Sequence, residues 1–155
     1  MSYLFEKKCD NLEATQRFAQ SLADIAQKGD TFALFGTLGA GKSAFARAFI
    51  QKLTDAKEVP SPTFTLLQTY ETDDFDIYHY DLYRLKSEEE IWELNIEEAL
   101  FSGVTLIEWP EKMGLYLPRD IFKIKIDVLN DGGRLFQIET ISENKAVRLK
   151  NLSLF

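Results

Sequence analysis

The stretch GTLGAGKS, residues 36–43, constrains this chain more than any other. It fits G-x-x-x-x-G-K-[ST] at every fixed position. Before it comes TFALF (31–35), an apolar run suited to a strand covered on both faces. After it comes SAFARAFIQKL (43–53), with Phe45, Ala48, Phe49 and Leu53 at helical spacing. Strand, glycine turn and helix in that order make a phosphate-binding loop. The glycines let backbone N–H groups wrap a phosphate, and the helix N-terminus adds partial positive charge. Lys42 is expected to place its ammonium on the β- and γ-phosphates. Ser43 is expected to offer its hydroxyl to Mg²⁺, which prefers oxygen ligands.

The remaining patterns predict an α/β chain with a P-loop NTPase fold: a mixed central sheet with flanking helices and β-hairpins. Residues 10–29 read as an amphipathic helix, with Asp10 and Glu13 as a capping box and Gly29 as its stop. TLLQTY (65–70) and DIYHYDLY (76–83) predict a hairpin around ETDD. SEEEIWEL (87–94) opens with a second capping box, Ser87 and Glu90, and NIEEALF (95–101) predicts another short helix. VTLIEW (104–109) reads as a second buried strand. IFKIKIDV (121–128) and RLFQIETI (134–141) alternate apolar and polar and predict a second hairpin, so the sheet is not purely parallel. The last fourteen residues give no clear pattern.

With 155 residues, the chain is expected to be a single domain, residues 1–155. A formal charge of −7 argues against a protein that grips DNA or RNA broadly by itself. The one cysteine, Cys9, allows neither an internal disulfide nor a cysteine metal cluster. No stretch approaches the roughly 20 apolar residues that span a bilayer, and no signal peptide is evident. A cytoplasmic protein without a membrane partner is the expectation.

A phosphate loop of this kind works with an acid at the end of a neighbouring strand. VTLIE ends in Glu108 and IYHYD ends in Asp81. Glu108 follows the cleaner apolar run and is the better metal-side acid. Asp81 lies on an alternating hairpin strand, expected to be more peripheral, where it would position the attacking water or a group behind the metal. Trp109 is read equally as core packing or as a nucleotide neighbour. Thr63 is either a switch threonine that senses the γ-phosphate or a strand-entry residue after a proline-rich turn. His79, the single histidine, reads as core packing. Arg84 is open between bracing its strand and meeting a partner.

A guanine-reading N-K-x-D is missing, and the six arginines form no lid cluster of the kind small-molecule kinases use. ATP remains as the nucleotide. Together GTLGAGKS, SPTF, HYDLYRL and IEWPE, in that order, resemble the TsaE (YjeE-type) ATPases of bacterial tRNA threonylcarbamoyladenosine biosynthesis. The resemblance runs from about Leu12 to Arg134. It implies a slow ATPase that binds ATP and Mg²⁺ and acts with TsaB and TsaD, meeting tRNA only through that complex. By position it implies a nucleotide loop of Gly36, Leu38, Gly39, Ala40, Gly41, Lys42, Ser43 and Ala44, with Ser43 and Glu108 on the metal. Thr63, Asp81 and Lys42 join Glu108 as catalytic candidates, and Trp109 and Arg134 are implied to touch the nucleotide. Thr37 stands where the family usually has Asp. Asn95 stands where many members have Gly, at an expected left-handed backbone position. The alternatives are a small-molecule kinase and a nucleotide-dependent binding module without productive catalysis.

Overall fold

A computed structural model describes residues 2–152. Seven strands form one sheet in the order β1-β7-β6-β2-β5-β4-β3. They are β1 (Tyr3–Cys9), β2 (Thr31–Phe35), β3 (Leu67–Glu71), β4 (Asp76–Asp81), β5 (Val104–Glu108), β6 (Phe122–Val128) and β7 (Arg134–Thr140). The four central strands, β6, β2, β5 and β4, pair in parallel. β3 closes one side and β7 with β1 the other, all antiparallel. The helices are α1 (Leu12–Ile25), α2 (Lys42–Leu53), α3 (Ile96–Ser102) and α4 (Glu143–Leu152), with 3-10 segments at Glu88–Leu94 and Pro110–Tyr116. Both predicted hairpins and the mixed sheet are present.

Strand alternation divides the apolar residues between two cores. Phe32, Leu34, Ile77, Leu106, Phe122, Ile124 and Phe136 pack with Phe18 and Leu22 of α1 and Phe45 and Phe49 of α2. Tyr78, Tyr80 and Ile107 face the other way, onto Ile91, Ile96, Ala99 and Met113. This is why TFALF and VTLI are apolar apart from Thr31 and Thr105: both faces of β2 and β5 are covered. In β6 only alternate residues, Phe122, Ile124 and Ile126, are buried, while Lys123 and Lys125 are exposed, which explains its two-residue period.

Several details differ from the sequence expectation. The cap of α1 is Asn11, whose side-chain oxygen accepts the Ala14 N–H at 2.9 Å; Asp10 lies one residue too early to serve. That helix ends at Ala26, where the backbone turns extended, and Gly29 with φ 91° lies in the following turn. β4 lies one strand nearer the sheet's edge than β5, as expected, yet β3 covers its outer side and every residue from Ile77 to Asp81 is buried. The second capping box forms as expected, although on a 3-10 rather than an α-helical segment. Asn95 adopts φ 55° and ψ 31°, the expected left-handed conformation, between that segment and α3. Of the last fourteen residues, Glu143–Leu152 form α4, and residues 153–155 lie outside the described part.

Charge holds α4 in place. The Arg148 guanidinium donates two hydrogen bonds to Asp30, at 2.6 and 3.0 Å, just before β2. Both side chains are almost fully buried. Replacing Asp30 with Ala leaves Arg148 buried without its partner. Chemical denaturation should show a loss of about 3–5 kcal/mol for Asp30→Ala.

Candidate functional site

The loop between β2 and α2 is shaped by glycine where side chains are excluded. Gly41, the residue before α2, has φ 109°, a conformation strained for any residue with a Cβ. A Cβ at Gly36 would lie 3.1 Å from both the Ala40 Cβ and the Ile126 carbonyl, so the loop's entry packs tightly on β6. Arg134, at the start of β7, donates from Nε to the Ala40 carbonyl at 2.8 Å. It braces the loop through that carbonyl and is not among the residues that line the cavity in front of the loop, although its Nε lies 3.9 Å from where a Cβ on Gly41 would stand. The exposed Thr37 braces the loop only through its backbone: its carbonyl accepts the Ala40 N–H at 3.0 Å.

That cavity, about 380 Å³, is lined by Leu38, Gly39, Gly41, Lys42, Ser43 and Ala44 of the loop. Thr63, Asp81, Glu108 and Trp109 line it as well. Sheet register brings the acids together. β4 and β5 are parallel, with Asp81 directly opposite Glu108. Ile77 and Leu106 share the α1–α2 face, so the period of two puts His79, Asp81 and Glu108 on that face too. They therefore end beside the N-terminus of α2.

Ser43 Oγ donates to Glu108 Oε1 at 2.9 Å. On the other oxygen, Glu108 Oε2 lies 2.8 Å from His79 Nε2. Asp81 accepts the Tyr83 N–H at 3.1 Å on Oδ1. Its Oδ2 accepts the Thr63 hydroxyl at 3.3 Å and the Ser61 hydroxyl at 3.4 Å. These last two bonds tie the proline-stiffened segment 59–64 to the end of β4. Ser61, Tyr83 and the His79–Glu108 contact were not picked out as site features from sequence. His79 sits two residues before Asp81 and so shares its face, a signal that was available; which strand it would meet was not.

Lys42 is almost buried, with its Nζ donating to the Gly36 carbonyl at 2.5 Å. The same nitrogen lies 3.3 Å from the centre of the Trp109 ring. Burial pushes the Lys42 pKa below its ordinary value, only partly opposed by Glu108, Glu111 and Asp81. Trp109 reaches the lysine because its backbone turns sharply at the end of β5, with φ 58° and ψ 50°. A bulky residue held there costs about 1–3 kcal/mol. The Tyr83 ring packs against it, centroids 5.0 Å apart. Arg84, at the rim, stacks its guanidinium 4.4 Å from the centre of the exposed Phe64 ring. A larger groove of about 860 Å³ runs along β6 and β7 and shares Leu38 and Trp109 with this cavity. Lysine, serine and the two strand-end acids converge only in the smaller one.

A glycine loop closed by Lys42 and Ser43, between a central strand and a helix, with an acid ending the adjacent parallel strand, defines a P-loop NTPase fold. The chain belongs to the TsaE family: the model of threonylcarbamoyl adenosine biosynthesis protein TsaE matches residues 9–136. The tRNA threonylcarbamoyladenosine biosynthesis protein TsaE of Rickettsia felis is 44% identical over 139 residues, covering 89% of this chain and 81% of that protein. Its counterpart in Bacillus subtilis is 33% identical over 144 residues, covering 92% and 90%. The crystal structure of Bacillus subtilis YdiB superposes with a TM-score of 0.81 at 27% identity, over 99% of this chain and 96% of that one.

The buried ammonium of Lys42 is costly to the ligand-free fold. Lys42→Met should unfold at the same or a higher denaturant concentration than the parent protein. The same variant should show no nucleotide binding by calorimetry.

Proposed function

We propose that this chain binds ATP with Mg²⁺ in the cavity in front of residues 36–44 and hydrolyses it. In this reading it is the ATP-consuming component of tRNA threonylcarbamoyladenosine formation. The observation that carries the proposal is the convergence of Lys42, Ser43, Glu108 and Asp81 on one cavity at a helix N-terminus. The loop's backbone N–H groups and Lys42 bind the phosphates, with the Lys42 ammonium exchanging the Gly36 carbonyl for phosphate oxygen. Ser43 and Glu108, already joined through Oγ and Oε1, are the groups that would hold the metal. When bound, Mg²⁺ neutralises charge on the β- and γ-phosphates. Among the described residues no three His, Cys, Asp or Glu side chains gather into a metal cage. One carboxylate and one hydroxyl suit Mg²⁺, which usually completes its shell with phosphate and water.

Asp81, fixed at both oxygens, is placed to orient the attacking water and accept its proton. Thr63 gives up its bond to Asp81 to meet the γ-phosphate, which couples segment 59–64 to the nucleotide's state. The site is self-satisfied without ligand: Lys42, Ser43 and Asp81 are all engaged internally. That supports slow turnover alone and stimulation by partners, which the family reading names as TsaB and TsaD. The net charge of −7 supports a division in which a partner, not this chain, holds the tRNA. Among the described residues no helix is long and apolar enough to cross a membrane, and the cytoplasm, where tRNA is modified, is the proposed location. The cavity is lined by one arginine, Arg84, which gives the kinase alternative no arginine cluster to neutralise a transferred phosphoryl group.

Lys42→Ala should abolish ATP binding. Glu108→Ala and Asp81→Ala should retain binding but lose turnover by about 10²-fold or more. Both are measured with the protein reconstituted with TsaB and TsaD, scoring phosphate release and modified tRNA over several cycles. Normal hydrolysis by both acid variants would contradict the site assignment. Zero single-turnover hydrolysis in the complete assembly would favour a binding module instead.

A further inference from the structure

Glu108 is bonded at both oxygens by groups from different elements. Ser43 reaches Oε1 from the first turn of α2, and His79 reaches Oε2 from β4. An ionised carboxylate only accepts, so the His79 Nε2–H donates. The pair is sealed from solvent, with side-chain exposures of 1% for His79 and 3% for Glu108. The other ring nitrogen, Nδ1, is buried with no hydrogen-bond partner among the described residues. Were position 79 needed only for packing, a leucine or phenylalanine would fill it without leaving a polar atom unpaired, which is unfavourable in a core. Among the described residues, the ring's one hydrogen bond is with the acid that faces the phosphate loop.

We propose that His79 is the positioning residue for Glu108. By holding Oε2 against β4 it leaves Oε1 as the oxygen presented to Ser43 and the cavity. The inference rests on the nucleotide and Mg²⁺ reading above. A glutamate side chain has three rotatable bonds, and two donors on opposite oxygens leave it one orientation. When the Ser43 hydroxyl turns away from Glu108 to a metal, the bond from His79 is the one that persists. Groups that orient metal-binding carboxylates typically change metal affinity about 10–100-fold when removed.

The test compares His79→Leu, which keeps bulk and removes the donor, with His79→Gln, whose amide nitrogen can replace Nε2 as donor. Binding of a non-hydrolysable ATP analogue to the full chain is measured by calorimetry in EDTA and across a Mg²⁺ titration. His79→Leu should bind the analogue in EDTA as the parent does, with its Mg²⁺ midpoint raised about 10–100-fold. His79→Gln should recover most of that shift. If His79→Leu does not fold, His79→Asn, too short to reach Glu108, takes its place beside His79→Gln. A ¹⁵N spectrum of the unaltered protein should show the imidazole protonated at Nε2 and bare at Nδ1. An unchanged Mg²⁺ midpoint, or a ring protonated only at Nδ1, would overturn the proposal. Failure of the parent protein to bind the analogue would instead overturn the nucleotide reading on which it rests.

Discussion

One carboxylate, that of Glu108, joins the parts that make this chain more than a sheet with helices. It ends β5, takes a hydrogen bond from Ser43 at the start of α2, and takes another from His79 on β4. Three elements separated in sequence thus meet at one side chain. The parallel register of β4 and β5 makes the meeting possible, since it sets Asp81 opposite Glu108 on the face that α2 covers. A slip of one residue in either strand would turn that strand's acid to the other face. Beside it, aromatic packing ties β2 to β6 and to α2: Phe32 of β2 stacks on Phe122 of β6 at 4.6 Å and meets Phe49 of α2 edge-on at 4.9 Å.

The local costs of the fold gather around this point. Lys42 is nearly buried with its charge, Trp109 holds a left-handed backbone, and one ring nitrogen of His79 has no partner among the described residues. Each is unfavourable by itself, and none is needed to close the sheet. Their concentration at a cavity lined by a phosphate loop is what a binding site looks like when the surrounding core supplies the stability. Trp109 illustrates the coupling. Its backbone conformation brings the indole over the Lys42 ammonium, 3.3 Å from the ring centre.

The phosphate loop and its two flanking elements were legible in the sequence because their signals are local: an apolar run, glycines at fixed spacing, then helical periodicity. The hairpins were legible from alternation around short polar turns. β1 was not foreseen, because as an edge strand it buries little and its residues Glu6 to Lys8 are all exposed. α4 gave no clear pattern because part of its buried face is charged, with Lys145 and Arg148 inward, and that only makes sense once Asp30 is known to wait there. His79 was read as packing, and it is buried. Its contact with Glu108 depends on which strands are neighbours, which no window of sequence contains. The same limit hid how fully β4 is buried, since its parallel pairing with β5 is a long-range fact. The loop glycines were legible individually, whereas the bond from Arg134 to the Ala40 carbonyl was not, because it joins residues 94 apart in sequence.

In the proposed function, nucleotide phosphates replace the internal partners of Lys42 and Ser43. A crystal structure of the protein with Mg²⁺ and a non-hydrolysable ATP analogue tests it most directly. The phosphates should lie within the loop of residues 36–43, with Lys42 Nζ moved from the Gly36 carbonyl onto phosphate oxygen and Ser43 Oγ moved from Glu108 onto the metal. A nucleotide bound elsewhere, such as in the groove along β6 and β7, with the Lys42–Gly36 and Ser43–Glu108 bonds intact, would contradict it.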